Sequence, residues 1–235
     1  MTLNRRNLIT KGAALTFVAS SASLIGVMPA LAEHTPATRG GAPAPSSDGK
    51  IYDVKKLMVP DGPADHFLGN KDAKVTIIEY ASSTCSFCAS FHVNTYPQLK
   101  ETYIDSGEIS FVLRPFVLNV LDAAVFLLAY KAGESGSEHY YNVLDAYLKT
   151  QSNWAQAENP RQALLDIAKQ LGFNEESFDA ALTNQELFEG IEKLREQASR
   201  KFGMRGTPSF YINGKFLSGN RSFEDMANEI DPLLG

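Results

Sequence analysis

The chain has two cysteines, Cys85 and Cys88, separated by Ser86 and Phe87. Thiols at this spacing can bind a soft metal, lock a turn or exchange a disulfide. A structural zinc site needs four ligands, yet there is no second cysteine pair, and His34, His66, His92 and His139 are scattered rather than paired. A purely structural disulfide closing so short a loop would stabilise the fold by only about 2 kcal/mol in the chain-entropy model. Redox chemistry uses the spacing better. Where the first cysteine opens a helix, the sulfurs lie one turn apart and can close a disulfide, and the helix dipole and free amides stabilise a thiolate on Cys85. A copper-binding thiol protein, with Met204 as a third soft ligand, is the reading from a different class.

Six residues before Cys85, Glu79 interrupts the apolar run Val75-Thr76-Ile77-Ile78-Glu79-Tyr80. A carboxylate buried there is costly unless it has a partner or a task. Either strand alternation carries its head to water at a sheet edge, or it lies beneath the cysteines and passes protons to and from Cys88. Thr207-Pro208 opens a later apolar run and allows two readings. One is a trans bond on an edge strand; the other is a tight exposed loop after Gly206, where a cis bond would free backbone groups to pair with an extended segment.

These residues need elements to hold them. The run at 75–80 reads as a strand of a parallel sheet buried on both faces. Ser82-Ser83-Thr84 offer capping hydroxyls, and Phe87, Phe91, Leu99 and Tyr103 give 86–103 a helical pattern that Pro97 should kink. Residues 108–114 read as a second strand, completing a β-α-β unit. From Leu118 to Lys201 the period stays helical, with apolar faces around Val125 and Leu128, Val143 and Leu144, Leu164 and Ile167, and Leu187 and Ile191; a capping box at Thr183-Asn184-Gln185-Glu186 opens the last. Strands return at 207–212 and 215–217 across Asn213-Gly214, a strong hairpin signal, and a final helix follows Ser222. The expected class is α/β: strand-helix-strand at 51–117, an inserted helical domain at 118–201, and a hairpin and helix at 202–235.

Of the 235 residues, 44% are hydrophobic and 21% charged, enough for a folded core. With 22 basic side chains against 27 acidic and no basic block, nucleic acid is not the expected partner. Arg5, Arg6 and Lys11 precede a soft apolar stretch, Gly12 to Val27, and the small residues Ala30-Leu31-Ala32, which reads as an export leader cleaved after Ala32. Its serines and Pro29 make a poor membrane anchor. Arg5-Arg6 before Asn7-Leu8-Ile9 suits a twin-arginine leader as well as an ordinary secretory one. Cleavage would leave 19 basic against 27 acidic side chains, net −8. Residues 33–50, rich in Pro, Gly, Ala and Ser, read as a flexible linker.

Taken together, Glu79, Cys85-Ser86-Phe87-Cys88 and Gly206-Thr207-Pro208, with a helical block between, resemble the DsbA-like family of exported thiol-disulfide oxidoreductases over about residues 60–235. The resemblance implies a thioredoxin fold with an inserted helical domain. It implies Cys85 as exposed nucleophile, Cys88 as resolving thiol, Glu79 as buried acid, and Thr207 with a cis Pro208 as the substrate-facing loop. It further implies a periplasmic protein that acts on unfolded or reduced exported proteins and is reoxidised by a quinone-linked membrane protein of the DsbB kind. No metal or other cofactor is expected. The strongly oxidising members carry a histidine between the cysteines; here Ser86 and Phe87 occupy the tuning positions. Residues 33–60 hold no dimerisation module, so a monomer is expected and dimeric isomerases are disfavoured.

Overall fold

In the computed structural model, which describes residues 48–235, the apolar run at 75–80 is the central strand of a five-stranded sheet. The strands are β1 (Phe67–Gly69), β2 (Val75–Ala81), β3 (Ile109–Pro115), β4 (Ser209–Ile212) and β5 (Lys215–Ser218), in the order β1-β3-β2-β4-β5. β2 runs parallel to β3, and the other pairings are antiparallel. Strands on both sides bury every residue of β2 except the half-buried Thr76. Glu79 lies opposite Leu113 on one neighbour and Phe210 on the other, so it sits mid-sheet rather than at an edge. β4 and β5 join through Asn213-Gly214, whose φ values of 44° and 88° are those of a tight hairpin turn.

Residues 48–52 run along β5: Gly49 N donates to Phe216 O at 2.7 Å and Phe216 N to Lys50 O at 2.8 Å. The last residues of the expected linker are therefore paired. α1 (Val54–Leu57) follows. After β2 come α2 (Ser86–Asn94), α3 (Tyr96–Leu99) and a π-helical turn (Lys100–Ile104). The expected kink at Pro97 is instead a break at Thr95. Pro97 falls in the first turn of α3, where a missing N–H costs nothing, and the Thr95 hydroxyl donates to Arg221 O at 2.8 Å.

Between β3 and β4 lie α4 (Val120–Gly133), α5 (Ser137–Lys149), α6 (Gln151–Trp154), α7 (Pro160–Gln170), α8 (Glu175–Leu182) and α9 (Gln185–Lys201). The four expected apolar faces fall on α4, α5, α7 and α9, while α6 and α8 were not foreseen. Capping of α9 also differs from expectation. Asn184, not Thr183, accepts from the first turn, at Leu187 N (3.0 Å), whereas the Thr183 hydroxyl closes α8 on Asp179 O (2.8 Å). α10 (Phe223–Leu234) opens with a capping box between Ser222 and Asp225.

Alternation along β2 divides the core. Ile77 and Ala81 face a large cluster with Phe91, Leu113, Val125, Tyr140 and Phe210. Ile78 and Tyr80 face a smaller one with Leu57, Phe202, Met204 and Tyr211. The expected leader, its cleavage after Ala32, and residues 33–47 of the linker lie outside the described residues. Among those described, no helix is long and apolar enough to cross a membrane.

Candidate active site

Both cysteines are free thiols in unequal surroundings. Cys85 is the N-cap of α2, with extended backbone (φ −79°, ψ 119°), and is partly exposed; Cys88, one turn on, is 0% exposed. The Cys85 sulfur lies 3.3 Å from Thr207 O. Its pKa is pushed down to about 5. The main cause is the hydrogen bond from the Cys88 thiol; partial burial opposes it, and Thr207 and the backbone amides of Cys88 and Phe87 add to it. These are the unpaired N–H groups that any helix start offers to negative charge. Cys88 moves the other way. Burial, then its hydrogen bond to Cys85, then the charge of Glu79 push its pKa well above the ordinary thiol range.

Glu79 reaches α2 from beneath. It is 0% exposed, and its carboxylate oxygens lie 3.0 and 3.2 Å from Nε2 of His92, itself 2% exposed. His92 is four residues after Cys88, so both fall on the buried side of one helix. That spacing was available in the sequence, although a lone histidine carries no signal until a strand carboxylate faces it.

The loop before Cys85 is held by the inserted helices. Asp122, 0% exposed in the first turn of α4, accepts from Ser82 Oγ (2.8 Å), Ser83 Oγ (3.0 Å), Thr84 N (2.7 Å) and Leu118 N (2.8 Å). Asn119 donates to Thr84 Oγ1 at 2.8 Å. Gln151 at the start of α6 donates to the carbonyls of Ser83 (2.7 Å) and Cys85 (3.0 Å). Ser82, Ser83 and Thr84, read from sequence as helix caps, thus serve as donors to a carboxylate 38 to 40 residues away, and nothing local marks Asp122 or Gln151 for this.

The structure brings Cys85, Cys88 and Thr207 together, with Glu79 below. The Thr207–Pro208 bond is cis, and both residues lie just outside β4. Ser86 and Phe87 point outward, Phe87 at 63% exposure, and Leu118 and Val120 beside Asn119 add further exposed apolar surface. Val120, Ala123, Leu127, Leu182 and Phe188 line a cleft of about 290 Å³ nearby. Met204 does not join the sulfurs: it is buried among Tyr80, Leu57 and Phe116 on the opposite face of the sheet, which removes the third ligand of the copper reading. Among the described residues, no three His, Cys, Asp or Glu side chains cluster as a metal site.

Comparisons with known proteins place the family and the fold. The thioredoxin family model matches residues 61–232. A Rickettsia bellii (strain RML369-C) protein named as a protein-disulfide oxidoreductase is 32% identical over 72% of this chain and 64% of its own length, so the chain spans less than two thirds of that relative. A Bacillus anthracis protein named disulfide bond formation protein D is 30% identical over 71% of this chain and 77% of its own. The crystal structure of Wolbachia pipientis α-DsbA1 superposes with a TM-score of 0.70 at 26% identity, covering 77% of this chain and 96% of that one.

Proposed function

Because this chain belongs to the DsbA-like thiol-disulfide oxidoreductases of the thioredoxin family, we propose that it introduces disulfide bonds into exported proteins through Cys85 and Cys88. The observation that carries this reading is the inequality of the two thiols, one pushed down to about 5 at a helix start and the other buried and pushed up. Exposure directs a client to Cys85 because Cys88 is buried, and the low pKa of Cys85 makes it the better leaving group when the mixed disulfide is resolved.

Starting from the Cys85–Cys88 disulfide, a client thiolate attacks the Cys85 sulfur. The Cys85–Cys88 bond breaks, a client–Cys85 bond forms, and the electron pair leaves on Cys88, which takes up a proton. The client's second thiol gives its proton to solvent and attacks the client sulfur of the mixed disulfide, and Cys85 leaves as a thiolate. The client has lost two electrons and the protein has gained them. A quinone-linked membrane protein of the DsbB kind would accept them and restore the disulfide. The Thr207 carbonyl, 3.3 Å from the Cys85 sulfur, and exposed Phe87, Leu118 and Val120 supply polar and apolar contacts for an unfolded segment.

Direction follows from the thiolate. A reduced form stabilised by a low Cys85 pKa makes the disulfide a stronger oxidant, which favours an oxidase, acting as a periplasmic monomer. Ser86 and Phe87 in place of a histidine-containing dipeptide favour the second reading, a reductase or isomerase. Two assays on one preparation separate them. The expected result is rapid oxidation of reduced, unfolded ribonuclease and slow rescue of the scrambled form; efficient rescue with poor oxidation would replace the first reading by the second. In the same preparation Cys88→Ser should accumulate mixed disulfides with clients and Cys85→Ser should not, and equal yields would contradict the assignment of roles.

A further inference from the structure

Opening the Cys85–Cys88 disulfide delivers an electron pair to a sulfur that cannot keep a charge. Cys88 is 0% exposed, backed by Phe91 and Ala81 in the larger core cluster, and burial disfavours its thiolate. The proton it needs must come from a group already inside. Around it, β2 contributes Glu79, α2 contributes His92, α3 contributes Tyr96 and α5 contributes Tyr141; Glu138 and Asp145 of α5 and Asp105 reach this cluster through Tyr96. The tyrosines are raised by burial, beyond any role as donors of a proton at neutral pH. Glu79 and His92 remain.

Among the described residues, His92 is the hydrogen-bond partner of both Glu79 oxygens, through one atom, Nε2. The other ring nitrogen, Nδ1, is buried and has no hydrogen-bond partner among the described residues, with the Phe91 and Tyr96 ring centroids 5.5 and 4.7 Å from that of the imidazole. A buried polar atom without a partner costs stability, so it calls for a task. An imidazole tied to a carboxylate through one nitrogen and unpartnered at the other has one place to load a proton and one path along which to pass it.

We propose that His92 and Glu79 form a buried proton-holding pair for the exchange at Cys85–Cys88, in which His92 loads the proton at Nδ1 and Glu79 hands one to the Cys88 sulfur as the disulfide opens. The inference rests on the thiol-disulfide reading above and adds a residue to it. Before the step, the pair is a carboxylate beside an imidazolium, neutral overall. The client thiolate brings one negative charge; the S–S bond breaks, Cys88 takes a proton through Glu79, and His92 becomes neutral. The negative charge then rests on the carboxylate, and a proton from solvent restores the pair. His92 acts through Glu79 and is a positioning residue.

The test is stopped-flow reduction of the oxidised full chain by dithiothreitol, with rates expressed per dithiothreitol thiolate, over roughly pH 5 to 8. The wild type should open more slowly as the pair loses its proton, and His92→Gln, which keeps an N–H toward Glu79 but cannot titrate, should lose that inflection and open about tenfold more slowly at the acid end. Glu79→Gln combined with His92→Gln should be no slower than Glu79→Gln alone. Parallel profiles for wild type and His92→Gln overturn the proposal. Should His92→Gln fail to fold, nitrogen NMR of the oxidised wild type over roughly pH 5 to 8 decides: the His92 ring must take up a proton at Nδ1 over the range in which opening speeds up, and a ring that keeps one protonation state throughout overturns the pair. Failure of the wild type to form a Cys85 mixed disulfide is a separate outcome, which sinks the thiol-disulfide reading itself.

Discussion

The sheet buries an acid–base pair on each face, and the two are built differently. On the face of the smaller cluster, Arg114 gives Nε and Nη2 to the two oxygens of Asp65 at 2.7 and 2.6 Å and Nη1 to Leu57 O and Tyr80 Oη at 2.8 and 2.9 Å. On the face of the cysteines, both Glu79 oxygens share Nε2 of His92, and Nδ1 is without a partner among the described residues. The residues sit one register step apart, since Glu79 lies opposite Leu113 and Tyr80 opposite Arg114. Alternation along two neighbouring strands thus sends one pair to each face. A saturated bidentate pair has no slack and ties 57–65 to the sheet; the pair on the cysteine face keeps one buried ring nitrogen outside any hydrogen bond among the described residues.

Removing one partner from each pair should therefore do opposite things. Arg114→Met leaves Asp65 buried and unpaired and should cost about 3–5 kcal/mol in urea unfolding, with part of the loss regained when Asp65 is also made Leu. Glu79→Gln keeps its volume and an acceptor for His92, so it should cost no more than about 1.5 kcal/mol while slowing disulfide opening on the order of a hundredfold. A Glu79 variant as unstable as the Arg114 one would erase the distinction. Next in size is the clamp from α4. Asp122→Ala strands two hydroxyls and two amides and should cost about 2–3 kcal/mol. It should also raise the alkylation midpoint of Cys85, since the loop that places the sulfur at the helix start is released, whereas an unchanged midpoint would reduce Asp122 to a fold-stabilising role.

The smallest effect is a redox difference in melting temperature. A depressed thiol pKa contributes stability to the reduced fold that is fully present above the unfolded value and is lost as pH falls through the folded one. Cys88 stays protonated across that range and adds nothing. Reduced protein should melt a few degrees above oxidised protein at pH 7, with the gap closing as pH falls toward 5. A gap that widens on acidification would contradict the sign.

The strand and hairpin beside the cysteines were legible because their signals are local, an apolar run for β2 and Asn213-Gly214 for the hairpin, whereas the hydroxyls before α2 serve Asp122 instead of capping the helix. Glu79 was legible as an anomaly, a charge in a strand that reads as buried. What escaped depends on distant partners. Asp122 and Gln151 matter because α4 and α6 fold back onto residues 82–85, and His92 because β2 lies under α2. Pro97 was misplaced because the same residue that kinks a helix interior also starts one well, and Thr183 because its neighbour Asn184 caps as well as it does.

The inequality of the two thiols is the centre of the account, and thiolate absorbance of the reduced protein measures it directly. Followed from pH 3 to 9, roughly the span over which free and perturbed thiols ionise, the wild type should gain a single thiolate with a midpoint near 5. Cys88→Ala, which removes the hydrogen bond that contributes most to that depression, should titrate at higher pH, and Cys85→Ser should gain none below the ordinary thiol range. Two thiolates rising together near the free-cysteine value would contradict the account.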